Sequence, residues 1–260
     1  MDNYEKFKIN IYNLINIDLS SYKEKQMKRR ILSLISRNNF NGFADYFKAL
    51  KSDKKVLNEF MNYLTINVSE FYRNKDQWNA LEKDIIPKLL KNNKKLKVWS
   101  SACSTGEEPY SIVMLLSKFV NIKDISVLAT DIDKTAIEKA KIGIYSDKSL
   151  KELPNEFKSK YFEKIENTYK IKEEIKNKVS FKNMNLLKDS YPKNCDLIFC
   201  RNVMIYFTEE AKSIMYDKFH DSLNKSGILF VGSTEQIIFP HKYNLESVKT
   251  FFYTKKVNDI

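Results

Sequence analysis

Cysteine, histidine and long apolar runs are all scarce in this chain of 260 residues, and each scarcity excludes a class of protein. The three cysteines are odd in number and show no CxxC spacing, which indicates free thiols in a reducing compartment rather than a disulfide framework or a zinc site. No apolar run approaches the roughly 20 residues that span a bilayer, and the first ten residues lack the apolar core of a signal peptide. We therefore expect a cytoplasmic protein that does not insert into a membrane.

Basic residues outnumber acidic residues by 45 to 33, which gives a formal net charge of +12. This excess indicates an acidic partner, and nucleic acid, a membrane surface and a Glu-rich protein would all qualify. An ordinary solvated surface explains the same excess without any partner. Hydrophobic residues at 43% and aromatic residues at 13% predict a folded globular chain rather than a disordered one.

The spacing of apolar residues divides the chain into an all-helical region and an α/β region. Residues 1–66 place apolar side chains three and four positions apart, which predicts an N-terminal helical domain. Strands and helices alternate over 97–260, which predicts an open α/β sheet, and residues 67–96 form the linker between the two domains. A stretch at about 155–180 has no strong helix pattern and predicts a small insertion of two or three short strands.

Within the α/β region, the segments LKVWS, ISVLAT, VSFKNM, CDLIFC and GILFVGS predict strands. The segments EEPYSIVMLLSKFV, DKTAIEKAKIG and TEEAKSIMYDKFHDSL predict helices, the last of which should stop before Gly227. The apolar stripe of that last helix consists of Ala211, Ile214, Met215, Phe219 and Leu223. The alternation in YNLESVKTFFYTKK predicts an antiparallel pair at the edge of the sheet.

The segment KVWSSACSTGEEPYSIVMLL has the pattern of a buried strand, a loop of small residues and a helix. Small side chains such as Ala102 and Gly106 let backbone N–H groups approach a ligand, although a plain tight turn has the same pattern. The helix opens on Glu107 and Glu108. Two carboxylates there would repel a pyrophosphate and attract a cation, although acidic residues are also common in a first helical turn.

A second feature is Asp131, which ends the strand that follows this helix. A carboxylate in that place can accept hydrogen bonds from both hydroxyls of an adenosine ribose, whereas Asp133 fits better as the cap of the next helix. S-Adenosylmethionine is an adenosine derivative that has no phosphate and carries a sulfonium and an ammonium group. The charge pattern therefore favours this methyl donor over NAD or ATP.

Five motifs carry a family resemblance: NVSEFYRN, VWSSACSTGEEPYSI, ATDIDKTAIEKAKIGIYS, NLL and CDLIFCRNVMIYF. In their order and spacing they resemble the chemotaxis receptor methyltransferase family, CheR. The resemblance implies an α/β, Rossmann-like S-adenosylmethionine-dependent methyltransferase fold with an N-terminal all-helical domain and a small antiparallel β insertion. It also implies the family's activity, the methylation of receptor glutamate side chains, which yields glutamyl methyl esters and S-adenosylhomocysteine.

The resemblance and the loop pattern together imply a set of donor-binding residues. They are Asn67, Ser69, Arg73, Ala102, Gly106, Glu108, Asp131, Asn185, Leu186, Arg201 and Asn202. Arg73 and Tyr206 are implied to be catalytic, because Tyr206 matches a position near the transferred methyl group and Arg73 would orient the acceptor or screen the donor's carboxylate. Asn67 and Ser69 also fit the start of a helix as capping groups, and Tyr206 also fits core packing.

The sequence departs from the family pattern at two places. Ser233 stands where the family often has His in a Gly-His-Ser-Glu motif, so we expect no essential histidine there. The insertion has no glycine in YFEKIENTYKIK, whereas members that tether to a receptor C-terminal pentapeptide carry a glycine-bearing loop. We therefore expect a member that needs no tether. We also expect a monomer, since nothing in the sequence demands a dimer, and contacts to the receptor through the basic helix Lys23–Arg30 and the insertion.

The implied chemistry requires neither a metal nor a general base, because a glutamate acceptor is already ionised at pH 7. The two histidines, His220 and His241, accordingly lie outside every motif. A nucleic-acid methyltransferase would suit the positive charge, but CRNV stands where amino-methylating DNA enzymes carry an (Asn/Asp)-Pro-Pro-aromatic motif, so we expect no nucleic-acid partner. A non-catalytic adaptor that binds the donor while docking on a signalling protein is the other alternative.

Overall fold

Residues 3–256 are described by the computed structural model, apart from the side chain of Asn92, and they fall into two compact units. The first unit extends to Asn67 and also includes Met204–Ile214. The second unit comprises Val68–Val203 and the chain from Met215 onward. Residues 1, 2 and 257–260 of the predicted domains lie outside the described residues.

Helices form the first unit within the described residues. They are α1 (Asn3–Ile15), α2 (Glu24–Arg37), α3 (Gly42–Ser52) and α4 (Lys54–Thr65). Each buries one apolar face, and the rings of Phe7, Tyr46 and Phe60 pack against one another with 1% exposure or less. The prediction of an all-helical N-terminal region is confirmed.

The segment Met204–Ile214 joins the first unit through backbone contacts. Lys23 N donates a hydrogen bond to Tyr206 O over 2.9 Å. Tyr22 and Phe207 form an isolated β-bridge, and their ring centroids lie 4.9 Å apart. Tyr206 itself lies in a half-buried turn of 3-10 helix, so the structure places it in the helical unit.

The second unit contains the strands of the described chain. They are β1 (Val98–Ser100), β2 (Val127–Asp131), β3 (Ile144–Ser146), β4 (Phe162–Ile165), β5 (Thr168–Ile171), β6 (Val179–Asn183), β7 (Cys195–Cys200), β8 (Leu223–Val231), β9 (Leu245–Lys249) and β10 (Phe252–Lys255). A mixed sheet has the order β6-β2-β1-β7-β8-β10-β9, in which the first five strands are parallel and β10 is antiparallel to both β8 and β9. A small antiparallel sheet has the order β3-β5-β4.

Helices alternate with these strands along the chain. They are α5 (Lys75–Ala80), α6 (Ile86–Asn92), α7 (Glu107–Leu116), α8 (Lys134–Ile142), α9 (Asn155–Tyr161), α10 (Glu173–Lys176) and α11 (Glu209–Ser222). Every residue of β1 and β7 is buried, as expected for central strands of a parallel sheet that helices cover. The predicted α/β fold with a small antiparallel insertion is therefore confirmed, although β3 was not among the predicted strands.

The order of the strands reverses between β1 and β7. Strands β2 and β6 lie on one side of β1, whereas β7 and β8 lie on its other side. Ser100 at the end of β1 pairs with Ala129 of β2 and Phe199 of β7. The carboxyl ends of these three strands therefore meet at one edge. Open α/β sheets bind ligands in the crevice at such a reversal point.

Two details of the last predicted helix are wrong. Helix α11 ends at Ser222 and passes directly into β8, so Leu223 begins a strand and Gly227 lies inside that strand. A Cβ atom at Gly227 would lie 2.4 Å from Cys195 O, so this glycine permits the close approach of β7 and β8 rather than stopping a helix. Ile214 was predicted to face the core, but it is 56% exposed.

No helix within residues 3–256 is long and apolar enough to cross a bilayer. Cys103, Cys195 and Cys200 are buried, free thiols. In the same part of the chain, no group of three or more His, Cys, Asp and Glu side chains could hold a metal ion.

Candidate active site

The candidate active site lies at the edge where β1, β2 and β7 end. Backbone hydrogen bonds hold the loop after β1 against both neighbouring strands, since Ser101 N donates to Phe199 O and Cys103 N donates to Thr130 O, each over 2.9 Å. Ala102 lies between these two anchors and is half-buried. The loop therefore has a fixed backbone path and brings no bulky side chain to the edge of the sheet.

Gly106 ends this loop and caps α7. Its φ of +96° lies in the left-handed region that favours glycine. A Cβ atom there would lie 2.8 Å from Ala140 Cβ and 3.0 Å from the Tyr145 hydroxyl. The backbone and the available space both require glycine, so this sequence signal has a structural explanation that is independent of any ligand.

Two carboxylates occupy the first turn of α7. Glu107 is 3% exposed and accepts hydrogen bonds from the Thr105 hydroxyl, over 2.7 Å, and from the Ser69 hydroxyl. Burial raises the pKa of Glu107 and also that of Glu108. These side chains place negative charge where a phosphate-binding helix presents bare N–H groups, so the start of α7 is unsuited to a phosphate.

Glu108 forms a buried ion pair with Arg201, which directly follows β7. Glu108 Oε2 lies 3.3 Å from Arg201 Nη1, and the two side chains are 13% and 2% exposed. Glu108 Oε1 accepts a hydrogen bond from the Ser100 hydroxyl over 2.8 Å. Burial lowers the pKa of Arg201, and the nearby charge of Glu108 opposes that change. The edge of the sheet therefore contains a fixed charge pair that is shielded from water.

Arg201 also fixes the chain segment before α5. Its Nη2 donates to Arg73 O over 2.7 Å and to Gln77 Oε1 over 3.0 Å. Among the described residues, Arg201 Nε and Gln77 Nε2 are buried without a hydrogen-bond partner. Buried donors normally have a partner. These two N–H groups can therefore serve the oxygen atoms of a bound ligand or of water.

Asp131 ends β2 beside the loop. Its carboxylate is 8% exposed and accepts backbone hydrogen bonds from Ser104 N (2.7 Å) and Asp133 N (2.9 Å). Burial raises the pKa of Asp131 to about 6, and the hydrogen bonds oppose that change only in part. Asp133 accepts from the first amides of α8, so its predicted capping role is confirmed. The Asp131 carboxylate therefore anchors the loop through its backbone hydrogen bonds.

The segment NVSEFYRN does not begin a helix, so the predicted capping role of Asn67 and Ser69 is wrong. Residues 66–70 have no regular secondary structure, and α5 begins only at Lys75. The φ angles of Tyr72 (54°) and Asn74 (63°) are left-handed. Left-handed backbone at residues other than glycine needs support from the surrounding structure. Arg201 supplies it through hydrogen bonds to Arg73 O and Asn74 Oδ1.

Asn185 and Leu186 follow β6, next to the end of β2. Asn185 Oδ1 accepts from Leu187 N over 3.0 Å, and Leu186 O accepts from the Tyr191 hydroxyl over 2.8 Å. Asn185 is half-buried and Leu186 is 7% exposed. The Asn185 side chain thus shapes its own turn, and the preceding Met184 N is bonded to Asp131 O.

The structure brings all the predicted donor-binding residues of the second unit to one edge of the sheet. This group consists of Ser69, Arg73, Ala102, Gly106, Glu108, Asp131, Asn185, Leu186, Arg201 and Asn202. Arg73 is half-buried, and its Nη1 donates to Val68 O over 3.1 Å. Asn67 and Tyr206 belong to the first unit, where Asn67 Nδ2 donates to the Thr65 hydroxyl over 3.1 Å. The ligand roles of all these residues stay predictions.

Two residues of this edge were missed from the sequence. Gln77 binds Arg201, and Glu235 accepts backbone hydrogen bonds from Asn202 and Gly232. Glu235 occupies the Glu position of the Gly-His-Ser-Glu motif, so the motif itself was the signal that could have found it. Ser233 is exposed, whereas Glu235 is 5% exposed.

Comparison with known proteins identifies relatives over nearly the whole chain. Residues 67–252 match the family described as "CheR methyltransferase, SAM binding domain", and residues 2–65 match "CheR methyltransferase, all-alpha domain". A chemotaxis protein methyltransferase of Listeria monocytogenes is 44% identical over 93% of this chain and 92% of its own length. One of Borreliella burgdorferi is 35% identical over 94% of this chain and 91% of its own length.

Proposed function

The chain belongs to the CheR methyltransferase family, and from this premise we propose that it methylates glutamate side chains of chemotaxis receptors. The chain is an S-adenosylmethionine-dependent methyltransferase. The proposed products are glutamyl methyl esters and S-adenosylhomocysteine. The observation that carries the proposal is the set of buried acidic side chains at the end of the parallel strands, which suits a positively charged nucleoside without phosphate.

The side chains at this edge fit the chemistry of S-adenosylmethionine. The carboxylate of Asp131 suits hydrogen bonds from the ribose hydroxyls, and Glu107 and Glu108 attract the positive groups of the donor. The partnerless N–H groups of Arg201 and Gln77 suit the oxygen atoms of its carboxylate. Asn185 and Leu186 follow β6 beside the end of β2, and we propose that they contact the adenine base. We propose these contacts together with the predicted ones at Asn67, Ser69, Ala102, Gly106 and Asn202.

The donor, when bound, supplies a methyl group on positively charged sulfur, which an ionised carboxylate accepts without a general base. The residues of the chain then contribute by orientation. Arg201 and Glu108 fix the backbone at Arg73, and Arg73 can hold the acceptor carboxylate by charge-assisted hydrogen bonds. Holding two reactants in line can supply roughly 7–11 kcal/mol of rate enhancement. We propose Arg73 and Tyr206 as the catalytic residues.

The decisive experiment is the transfer of label from tritiated S-adenosylmethionine to purified receptor cytoplasmic domains. Glutamyl methyl esters release methanol in alkali, so the label should become volatile after base treatment. DNA and RNA serve as alternative acceptors in the same assay. Label on nucleic acid alone would support a nucleic-acid methyltransferase. Donor binding without any transfer would support a non-catalytic adaptor.

Donor affinity should fall as the pH is lowered through about 6, the value to which burial raises the pKa of Asp131. The sign follows from the acceptor role, because only the ionised carboxylate can accept hydrogen bonds from both ribose hydroxyls. Above pH 7 this group is mostly ionised and the dissociation constant should be flat. Calorimetric titration of the donor between pH 5 and pH 8 measures the effect.

The pH effect needs a control because burial also raises the pKa of Glu107 and Glu108. Asp131→Asn should bind the donor more weakly at pH 8, by roughly tenfold or more, since a charge-assisted hydrogen bond contributes about 1.5–3 kcal/mol. The donor affinity of the variant should also no longer show the fall near pH 6 that is due to Asp131. A profile that is identical in the variant would assign the titration to another group.

Helix α2 supplies a basic face that we propose contacts the acidic receptor. Lys25 and Arg29 lie one helical turn apart and are both exposed. The neighbouring positive charges are partly used within the unit, since Arg30 donates to Tyr63 O and Lys28 Nζ lies 5.1 Å from the centre of the Tyr4 ring. Lys25 and Arg29 are therefore the residues of Lys23–Arg30 that charge reversal can test without disturbing the fold.

The double variant Lys25→Glu/Arg29→Glu is expected to lower kcat/KM for the receptor by about tenfold or more at low salt, because steering of charged partners raises association rates by 10–10³. Donor affinity should be unchanged. Lys48→Glu/Lys51→Glu is the matched control, since both lysines are exposed on α3 and the charge change is the same. Equal losses of kcat/KM in the two double variants would show a general effect of charge and refute a specific docking face.

We further propose that the small sheet contacts the receptor without gripping a C-terminal pentapeptide. Strands β4 and β5 are joined by a tight turn at Glu166 and Asn167, and Glu166 has a φ of 51° in place of a glycine. So short a turn offers no loop that could close over a peptide, which supports a tether-independent enzyme. Monomeric state and a cytoplasmic location complete the proposal.

A further inference from the structure

Glu235 lies in the loop after β8 and contacts the backbone of the loop after β7. Its side chain is buried, and Oε2 accepts hydrogen bonds from Gly232 N over 2.9 Å and from Asn202 N over 2.5 Å. The second bond joins residues 33 positions apart in the chain. A carboxylate that accepts two backbone N–H groups fixes both peptides strongly, because charge-assisted hydrogen bonds are about twice as strong as neutral ones.

Asn202 needs such support because its backbone is left-handed, with a φ of 59°. A residue other than glycine persists in this region only when its surroundings hold it there. The bond from Asn202 N to Glu235 does this directly. Arg201 immediately precedes Asn202, so the same bond also fixes where the chain leaves β7.

Gly232 provides the space for this contact. A Cβ atom at that position would lie 2.3 Å from Glu235 Oε2 and 2.9 Å from Asn202 N. Neither distance is sterically possible, so any side chain at Gly232 would displace the carboxylate from Asn202. The glycine and the glutamate of VGSTEQ therefore act as one structural unit.

Glu235 also changes the charge balance around Arg201. Its negative charge acts on both members of the Glu108–Arg201 pair, since it raises the pKa of Arg201 and that of Glu108. One buried guanidinium thus faces two carboxylates. With all three groups ionised, the cluster of Glu108, Arg201 and Glu235 carries one excess negative charge, which favours a cation nearby.

We propose that Glu235 is a positioning and specificity residue of the donor site. It holds the turn that presents Arg201 and Asn202, and its negative charge stabilises the positively charged donor more than the neutral-sulfur product. This inference rests on the proposed function and extends it, because it assigns part of the donor's affinity relative to the product to one buried carboxylate outside the predicted donor-binding residues.

The test is Glu235→Gln, which keeps the shape of the side chain and removes its charge. Calorimetry should show weaker binding of both S-adenosylmethionine and S-adenosylhomocysteine, by about tenfold or more for the donor. The loss should be larger for the donor than for the product, so that their affinity ratio falls. In a ¹⁵N-labelled sample, the Asn202 amide should shift and exchange faster with solvent.

Asp196→Asn is the matched control. Asp196 is also 5% exposed and also accepts a backbone hydrogen bond, from Lys97 N over 2.6 Å, but it lies at the opposite end of β7. It should lose stability like Glu235→Gln and keep both affinities. Gly232→Ala is a second variant that keeps the charge and displaces the carboxylate, so it should weaken donor and product equally. It also carries the test if Glu235→Gln fails to fold.

The outcomes separate the inference from the proposed function. If the unchanged protein binds neither S-adenosylmethionine nor its product, the proposed function fails and this role fails with it. If the unchanged protein binds the donor and Glu235→Gln binds both ligands with unchanged affinity, the role of Glu235 alone is refuted. Equal losses of donor affinity in Glu235→Gln and Asp196→Asn would show that Glu235 has only a general structural role, and would also refute the inference.

Discussion

Arg201→Met is expected to lower the free energy of unfolding by about 3–5 kcal/mol, the usual cost of removing one partner from a buried ion pair. The variant leaves Glu108 buried without its counter-charge and removes the guanidinium whose carbon lies 4.8 Å from the centre of the Phe230 ring. It also releases the bonds to Arg73 O and Gln77 Oε1. For a domain of this size the melting temperature should fall by about 2–4 °C per kcal/mol. Scanning calorimetry measures it.

Arg37→Met is the matched control for this experiment. Arg37 pairs with Glu59 over 2.7 Å, a shorter distance than in the buried pair, but the two side chains are 57% and 41% exposed. An exposed pair contributes only about 0–1 kcal/mol, so this variant should unfold almost like the unchanged protein. The double variant Glu108→Gln/Arg201→Met should recover part of the loss, because it removes the unpaired charge. Equal melting temperatures for Arg201→Met and Arg37→Met would refute the buried-pair argument.

The parallel core of the sheet could be predicted from the sequence because its strands are continuous apolar runs. The segment CDLIFC is buried at every position, as its composition requires. The junction of α11 and β8 could not be predicted in this way. There the helix runs into the strand without a loop, and the polar residues 224–226 conceal the start of the strand. Strand β3 was missed because it follows α8 almost directly and buries only Tyr145, whereas the equally short β1 is buried at every position.

The candidate site could be predicted as a set of positions but not as a network. The motifs indicated Glu108, Asp131 and Arg201, since each follows or begins a recognisable element. The bonds that hold these residues join distant parts of the chain: 128 residues separate Arg73 from Arg201, and 33 separate Asn202 from Glu235. Such pairings depend on the order of the strands, and local periodicity carries no information about them.

The structure also refines the electrostatic argument for the donor. The sequence presents Glu107 and Glu108 as equivalent attractive charges, but Glu108 is neutralised in part by Arg201. The remaining buried negative charge comes from Glu107, Asp131 and Glu235. The site therefore stays acidic although it contains a guanidinium. That guanidinium acts on the chain segment around Arg73, which leads to the second large effect.

Arg73→Ala is expected to lower kcat for receptor methylation by about a hundredfold, because misplacing a reacting group by about 1 Å has an effect of that size. The backbone of Arg73 is held by the bond from Arg201 to its carbonyl, while its half-buried guanidinium makes one hydrogen bond, from Nη1 to Val68 O, and has four other N–H groups for a carboxylate. The side chain is therefore available to an incoming carboxylate. Single-turnover label transfer with saturating donor measures the effect on the chemical step.

Three further measurements decide what Arg73 does. The melting temperature of the Arg73→Ala variant should change little, since an alanine at this position keeps the backbone bond to Arg201. An unchanged donor dissociation constant with reduced kcat would assign Arg73 to the acceptor, and a weakened donor would assign it to the donor's carboxylate. Lys123→Ala is the control, because it removes one exposed positive charge from the segment before β2. This segment lies away from the carboxyl ends of the strands, where the candidate site is. If Arg73→Ala methylates receptors as fast as Lys123→Ala, Arg73 is not a catalytic residue.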